Sequence, residues 1–258
     1  MTAVKDSVAA STTVPPQDPA AAATAARRRA GLVAAVAGLV LLPWFWSVQA
    51  VASLGASPPL GGPDQEFVDF YADNYSRLPV NATLFIGQWV ILLVFLVALI
   101  CAASWRLDLA AMLAITLAGA STAIYVGAEG VRLWPVFQGD MTAAKLRDQL
   151  DPVLAQAALV SRDGLHAPAS VLMGASVLVI AWLLARSGLW AHWVMSGLAA
   201  LAGAYALSSV VGGQEGWGPG FIILWGPVTA VLLLIGRRHG RSPGLSRAKE
   251  SASSSYQP

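Results

Sequence analysis

Six stretches of the chain run for 20 residues or more without a charged side chain, and they hold most of its hydrophobic residues. These stretches are residues 30–63, 78–105, 109–128, 164–185, 187–214 and 216–236. An α-helix rises about 1.5 Å per residue, so about 20 apolar residues cross the roughly 30 Å hydrocarbon core of a bilayer. Core helices of soluble proteins carry charge on their wet face. The pattern therefore predicts an all-α fold, a polytopic transmembrane helical bundle.

The same pattern predicts six spans, flanked by two disordered tails. The spans are 30–54, 79–103, 108–131, 166–185, 189–211 and 217–236. Residues 1–29 and the basic segment 237–258 are poor in bulky apolar side chains, so both are predicted to be disordered. Arg27–Arg29 before an apolar run also resembles a twin-arginine export signal. That run is longer than a signal core and five spans follow it, which favours an uncleaved first span.

The distribution of lysine and arginine predicts the orientation. An even number of spans places both termini on one side of the membrane. With cytoplasmic termini, eleven Lys and Arg residues lie inside and five outside, as the positive-inside rule requires. We therefore expect a bacterial inner (cytoplasmic) membrane protein with both termini in the cytoplasm.

Composition narrows the classes of function. The formal net charge of +2 is too small to indicate a nucleic-acid partner. The single cysteine, Cys101, excludes an internal disulfide or a thiolate metal cluster. No catalytic motif, metal-ligand spacing or cofactor motif is found, so no catalytic residue, metal or cofactor is predicted. Membrane lipids are the expected surroundings.

Small residues four apart predict where helices approach closely. The third span has Gly119, Ala123 and Gly127, and the fifth has Ala200, Ala204 and Ser208. Because helices in lipid associate through such faces, this spacing places the third and fifth spans at the centre of the bundle.

Glu129 is the most prominent candidate site residue, since it lies in an otherwise apolar span. Arg132 follows three residues later on the same helical face. An ionisable group in a span indicates a binding role. Its predicted depth, near the outer headgroups, favours instead a structural anchor at the end of the helix. Both interpretations remain open at the level of sequence.

Neutral polar residues are the other candidates. Gln88, Thr122, Tyr125 and Tyr205 fall in span interiors and could line a path across the membrane. No charged residue occupies the central third of any predicted span, which argues against an ion-coupled carrier.

Two longer outer segments, 57–78 and 132–165, could bind a protein partner. The first contains the acidic and aromatic run EFVDFYADNY. In the second, Thr142 could cap a helix whose apolar face lies on the bilayer surface. That face would hold Leu146, Leu150, Val153, Leu154 and Ala157.

Three classes of function remain. A non-catalytic scaffold, accessory subunit or sensor is slightly favoured. The alternative is a small transporter or passive pore with a neutral polar path. A lipid-acting membrane enzyme is the least favoured, because no catalytic constellation is found.

The stretch LLARSGLWAHWVMSGLAALAG at 183–203 resembles the junction of the fourth and fifth spans in a family of six-span bacterial membrane proteins. The matching positions are Leu183, Leu184, Arg186, Ser187, Leu189, Trp193 and Gly197. That family is known only as a domain of unknown function. The resemblance covers mainly the C-terminal third and implies a six-span topology without an activity.

Overall fold

A computed structural model describes residues 19–51, 54, 58, 62–104, 107–138, 140–211 and 218–239. Within these ranges the regular structure is entirely helical. The helices are α1 (Pro19–Val51), α2 (Asp64–Asp73), α3 (Arg77–Ala103), α4 (Leu109–Leu133), a 3₁₀ helix (Trp134–Phe137), α5 (Ala143–Gln149), α6 (Pro152–Ala185), α7 (His192–Val211) and α8 (Gly218–His239).

The predicted all-α membrane bundle is confirmed. By length and composition, α1, α3, α4, α6 and α8 are suited to cross a membrane. Large apolar side chains point outward from them, such as Leu109, which is 84% exposed. Lipid is the solvent in which such exposure is favourable. The predicted span 189–211 corresponds to α7, a 20-residue helix that is not among those five.

Six helices form a closed ring. α1 packs against α3, α3 against α4, α4 against α6, α6 against α7, α7 against α8, and α8 back against α1. Inside the ring lies a core of apolar side chains that includes Trp89, Phe95 and Trp225. α7 therefore occupies a position equivalent to that of its neighbours α6 and α8.

The faces predicted from the spacing of small residues are not the ones that pack closely. Ala123, Gly127 and Ala204 are exposed, and a Cβ added at Gly119 or Gly127 would meet no atom within 4 Å. Close contact occurs at other glycines, of which Gly203 belongs to the fifth predicted span. A Cβ on Gly38 of α1 would lie 2.7 Å from the carbonyl oxygen of Gly226 in α8, and one on Gly203 would lie 2.9 Å from that of Gly174. Glycine is abundant in this chain, so spacing alone did not identify the packed faces.

Three predicted boundaries change. α8 ends at His239, so residues 237–239 of the predicted C-terminal disordered tail are helical. Residues 1–18 and 240–258 of the two predicted tails lie outside the described part of the chain. α1 begins at Pro19, so residues 19–29 of the predicted N-terminal disordered tail are helical. This segment is mostly alanine and arginine, both good helix formers. α6 begins at Pro152 rather than at residue 166. Asp151 caps it by accepting a hydrogen bond from the Val153 amide at 2.8 Å, and proline suits the first helical position.

The early start of α6 builds a second, smaller apolar cluster at the end of the bundle opposite Arg27 and Arg237. We call the region around this cluster the cap: α2, the 3₁₀ helix, α5 and residues 152–159 of α6. Phe67, Tyr71 and Leu146 are at most 1% exposed within it. The acidic and aromatic run of residues 66–75 thus turns its rings inward. Most of residues 52–61 lie outside the described part of the chain.

The predicted surface-lying helix of segment 132–165 is only partly correct. Thr142 does cap α5, accepting a hydrogen bond from the Lys145 amide at 3.3 Å, and Leu146 and Leu150 are buried. The helix ends there, because the following Asp-Pro pair begins α6 in a new direction. Val153 and Leu154 consequently lie on a different, exposed face.

Candidate functional site

A buried cluster of charged side chains lies where the cap meets the bundle. Glu129 of α4 is fully buried and forms an ion pair with Arg132, one helical turn further along. Its Oε1 also accepts hydrogen bonds from Nε and Nη2 of Arg162, each at 3.3 Å. Arg162 belongs to the part of α6 that precedes the predicted span. The cluster therefore joins α4 to α6.

Arg132 extends the cluster to a third helix. Its Nη2 donates a hydrogen bond to Oδ1 of Asn81 in α3 at 2.6 Å. Arg132 is 4% exposed and Glu129 is not exposed at all. Charges so far from solvent are tolerated when they are paired and hydrogen-bonded. Arg162 also binds the carboxylate of Asp163 at 2.8 Å, at the exposed edge of the cluster.

Tyr71 connects the cap to this cluster. Its side chain is fully buried, and its hydroxyl lies within electrostatic range of Arg132, Arg162 and Glu129. Burial raises the pKa of the Tyr71 hydroxyl well above its ordinary value, and the two arginines offset only part of this increase. Within the described residues, the Tyr71 hydroxyl and Nε of Arg132 have no hydrogen-bond partner.

A row of polar groups continues from the cluster into the bundle between α4 and α6. The Tyr125 and Ser170 hydroxyls lie 2.7 Å apart, and the Tyr125 ring stacks on Trp89 of α3 with centroids 3.7 Å apart. The His166 ring meets Tyr125 edge-on at 5.1 Å. Deeper, Ser121 donates to the Ala169 carbonyl at 2.7 Å. Such contacts hold helices together in lipid, where apolar packing alone is not selective.

The structure brings some of the predicted site residues together and separates others. Glu129 and Arg132 belong to one cluster. The Tyr125 ring contacts the His166 ring, and His166 lies one helical turn after Arg162 of that cluster. Gln88 and Thr122 are buried, and Oε1 of Gln88 and Oγ1 of Thr122 lack hydrogen-bond partners among the described residues. Tyr205 lies on α7 against Phe221 of α8, with ring centroids 4.4 Å apart.

Sequence reasoning missed Arg162, His166 and Ser170. These residues are spaced by four in the chain, so they fall on one face of a helix. That spacing was a usable signal, but it was hidden because the helix was expected to begin at residue 166. Asn81 and Tyr71 gave no comparable signal, since each joins the cluster only through the packing of separate helices.

The arrangement is suited to holding helices in fixed positions more than to chemistry. Within the described ranges no group of three or more His, Cys, Asp or Glu side chains is placed to hold a metal ion. The cluster has one carboxylate, and both of its arginines are already engaged with it. The chain matches no protein-family model, no curated protein and no solved structure.

Proposed function

We propose that this chain is a non-catalytic membrane protein, an accessory subunit or sensor, whose cap binds a protein partner outside a bacterial cytoplasmic membrane. The observation that carries the proposal is the fully buried Glu129, shared between Arg132 of α4 and Arg162 of α6 directly beneath the cap. A change in the position of the cap would act on this shared carboxylate. The cap and the bundle are thereby coupled.

Six spans with cytoplasmic termini form part of the proposal. A 20-residue helix is about 30 Å long, enough to cross the hydrocarbon core. α7 runs antiparallel to α6: Ser196 near its start donates to the Ala181 carbonyl at 2.7 Å, and Gly203 lies against Gly174. This packing supports α7 as a span. Its N-terminal part belongs to the segment that resembles the six-span family, and membership of that family stays a prediction.

Charge supports the outer surface as the site of binding. Among the described residues outside the buried cluster, the carboxylates at the cap end outnumber the basic side chains by eight to three, which favours a partner with a basic surface. The carboxylates are Asp64, Glu66, Asp69, Asp73, Asp140, Asp148, Asp151 and Asp163, and the basic residues are Arg77, Lys145 and Arg147. Arg147 pairs with Asp73. Asp64 and Glu66, both exposed at the start of α2, are the simplest to test.

Chemical crosslinking in native membranes tests this proposal. We expect an adduct of defined mass with the wild type and with Gln65→Ala, which changes the same surface without changing its charge. The Asp64→Asn/Glu66→Gln variant should lose the adduct, and raised salt should weaken it in the wild type. An unchanged adduct in the double variant, or no adduct from well-expressed wild type, would overturn the proposal.

A passive pore is the second candidate, because one observation favours it. Oε1 of Gln88, Nε1 of Trp89 and Oγ1 of Thr122 are buried without hydrogen-bond partners among the described residues, as expected of groups that face water in a channel. Against this, the Trp89 and Tyr125 rings are stacked with their centroids 3.7 Å apart, which leaves no space for water between them. Tyr205 lies at a different interface, between α7 and α8. The polar groups therefore do not line one path.

Cysteine accessibility separates the two candidates. In a Cys101→Ala background, Gln88→Cys should resist a water-soluble thiol reagent in intact membranes, while Asp148→Cys on the exposed face of α5 should react. Rapid modification of Gln88→Cys would favour the pore and would contradict a closed, packed centre.

A further inference from the structure

The end of the bundle opposite the cap contains a cleft of about 380 Å³. It lies between the first turns of α1, the last turn of α3, the α6–α7 turn and the end of α8. Arg27, Arg28 and Arg237 line one part of it, and Trp190, Leu233 and Gly236 line another. The lining of the cleft is thus partly basic and partly apolar. Its volume falls within the usual range of ligand sites.

Arg27 is held in place by the protein itself. Its Nε donates to the Ala102 carbonyl at 3.1 Å and its Nη2 to the Ala103 carbonyl at 3.4 Å. These carbonyls belong to the last turn of α3, where helical hydrogen bonds run out. Two of the five guanidinium donors are used in this way, which leaves three for a ligand.

The apolar wall is also fixed. A Cβ added to Gly236 would lie 2.7 Å from Cβ of Trp190, so the tryptophan sits directly against the backbone of α8. Trp190 remains 45% exposed and Leu233 is buried beside it. Tryptophan at this depth is typical of the boundary between hydrocarbon and headgroups.

Little negative charge balances the arginines. Among the described residues, Asp108 is the one carboxylate at this end of the bundle, and it lines a neighbouring cleft on the other side of Arg27. Arg28, Arg29 and Arg238 are exposed. A phosphate group can accept several charge-assisted hydrogen bonds from arginines placed in this way.

We propose that this cleft binds one anionic phospholipid, with its phosphate on Arg27, Arg28 and Arg237 and an acyl chain against Trp190 and Leu233. Basic pockets between spans on the side facing anionic lipid headgroups are suited to this role. The apolar lining distinguishes a lipid from a soluble phosphate, because a soluble phosphate has no acyl chain to cover the exposed part of the Trp190 ring. The inference rests on the membrane location of the bundle and not on the proposed partner of the cap.

Native mass spectrometry of the full-length protein in detergent tests the proposal. Phosphatidylglycerol should bind with a defined stoichiometry of one, and phosphatidylcholine with the same acyl chains should bind much more weakly. Arg28→Gln/Arg237→Gln should lower the affinity for phosphatidylglycerol roughly tenfold or more. Arg29→Gln/Arg238→Gln removes the same charge from the same two helix ends, outside the cleft, and should change the affinity less than about twofold.

Three results would overturn the proposal. Equal losses in the two double variants would show diffuse attraction to a basic surface without a site. Both lipids carry a phosphate, and phosphatidylcholine differs by its choline cation, so equal binding would show that the net negative charge of the headgroup is not recognised. Competition by inorganic phosphate or glycerol phosphate at the concentration at which phosphatidylglycerol binds would show a site for a soluble anion.

Arg28 and Arg237 make no hydrogen bond that holds the fold together within the described residues, so folding of the test variant is expected to be unaffected.

Discussion

Glu129 and Arg162 are 33 residues apart in the chain, and two hydrogen bonds of 3.3 Å join them at the junction of cap and bundle. Arg162 is 19% exposed and Glu129 is buried completely. Removing this carboxylate would leave Arg132 without an ion-pair partner and Arg162 with the exposed Asp163 as its counter-charge. The Glu129–Arg162 pair therefore holds α4 to α6 next to Tyr71 of the cap.

We expect Glu129→Gln to lower the free energy of unfolding by about 3 kcal/mol, because it leaves buried charge unpaired. Thermal unfolding of the purified protein in detergent measures this. Asp163→Asn is the matched control: Asp163 also binds Arg162, at 2.8 Å, but it is 57% exposed. Its loss should cost less than about 1 kcal/mol. Equal effects of the two changes would contradict the central role given to Glu129.

Close packing of α1 on α8 predicts a difference between two glycines. Gly38→Ala should destabilise the bundle by about 2 kcal/mol, because the new Cβ would meet the Gly226 carbonyl oxygen at 2.7 Å and Phe95 at 3.1 Å. Gly119→Ala meets no atom within 4 Å, so stability should be unchanged or slightly raised. The unfolding midpoints of the two variants test this difference. If Gly38→Ala were as stable as the wild type, the close packing of α1 on α8 would be refuted.

The all-α membrane bundle was predictable from sequence, because lipid contact selects long uncharged runs whatever their neighbours are. The face of each helix that packs inward was not predictable. Gly119 and Gly38 look alike in a list of small residues, and only the arrangement of the ring distinguishes them. Two of the three charged residues of the buried cluster were predictable from their spacing in the sequence. Glu129 and Arg132 share a helical face by spacing, whereas Arg162 joins them only because α6 begins at Pro152, before the predicted span.

The hydroxyl pair of Tyr125 and Ser170 should show measurable coupling. A double-mutant cycle of Tyr125→Phe and Ser170→Ala is expected to give about 1 kcal/mol, the usual size for a hydrogen bond between helices in lipid. Tyr205→Phe serves as a control, since its contact with Phe221 is through the ring. Additive effects of the two changes would mean that the 2.7 Å contact contributes nothing to stability.

Tyr71 predicts how stability changes at alkaline pH. Burial raises the pKa of its hydroxyl in the folded protein, while in the unfolded chain it ionises near 10. The stabilisation is complete below about pH 10 and is lost progressively as pH rises towards the folded pKa, because only the unfolded chain releases the proton. Tyr71→Phe should therefore show a shallower alkaline decline in unfolding midpoint than the wild type. If the midpoints of the wild type and of Tyr71→Phe declined in parallel, the Tyr71 hydroxyl would have to be exposed to water in the folded protein.

We propose that six spans hold the cap on one side of the membrane and the arginine-rich end of the bundle on the other. Labelling of single cysteines in sealed spheroplasts tests it most directly, in a Cys101→Ala background with a membrane-impermeant maleimide. Asp148→Cys on α5 should be labelled in sealed spheroplasts, and Arg238→Cys near the end of α8 should be labelled only after lysis. Labelling of Arg238→Cys before lysis, or of both sites in a soluble fraction, would contradict the account.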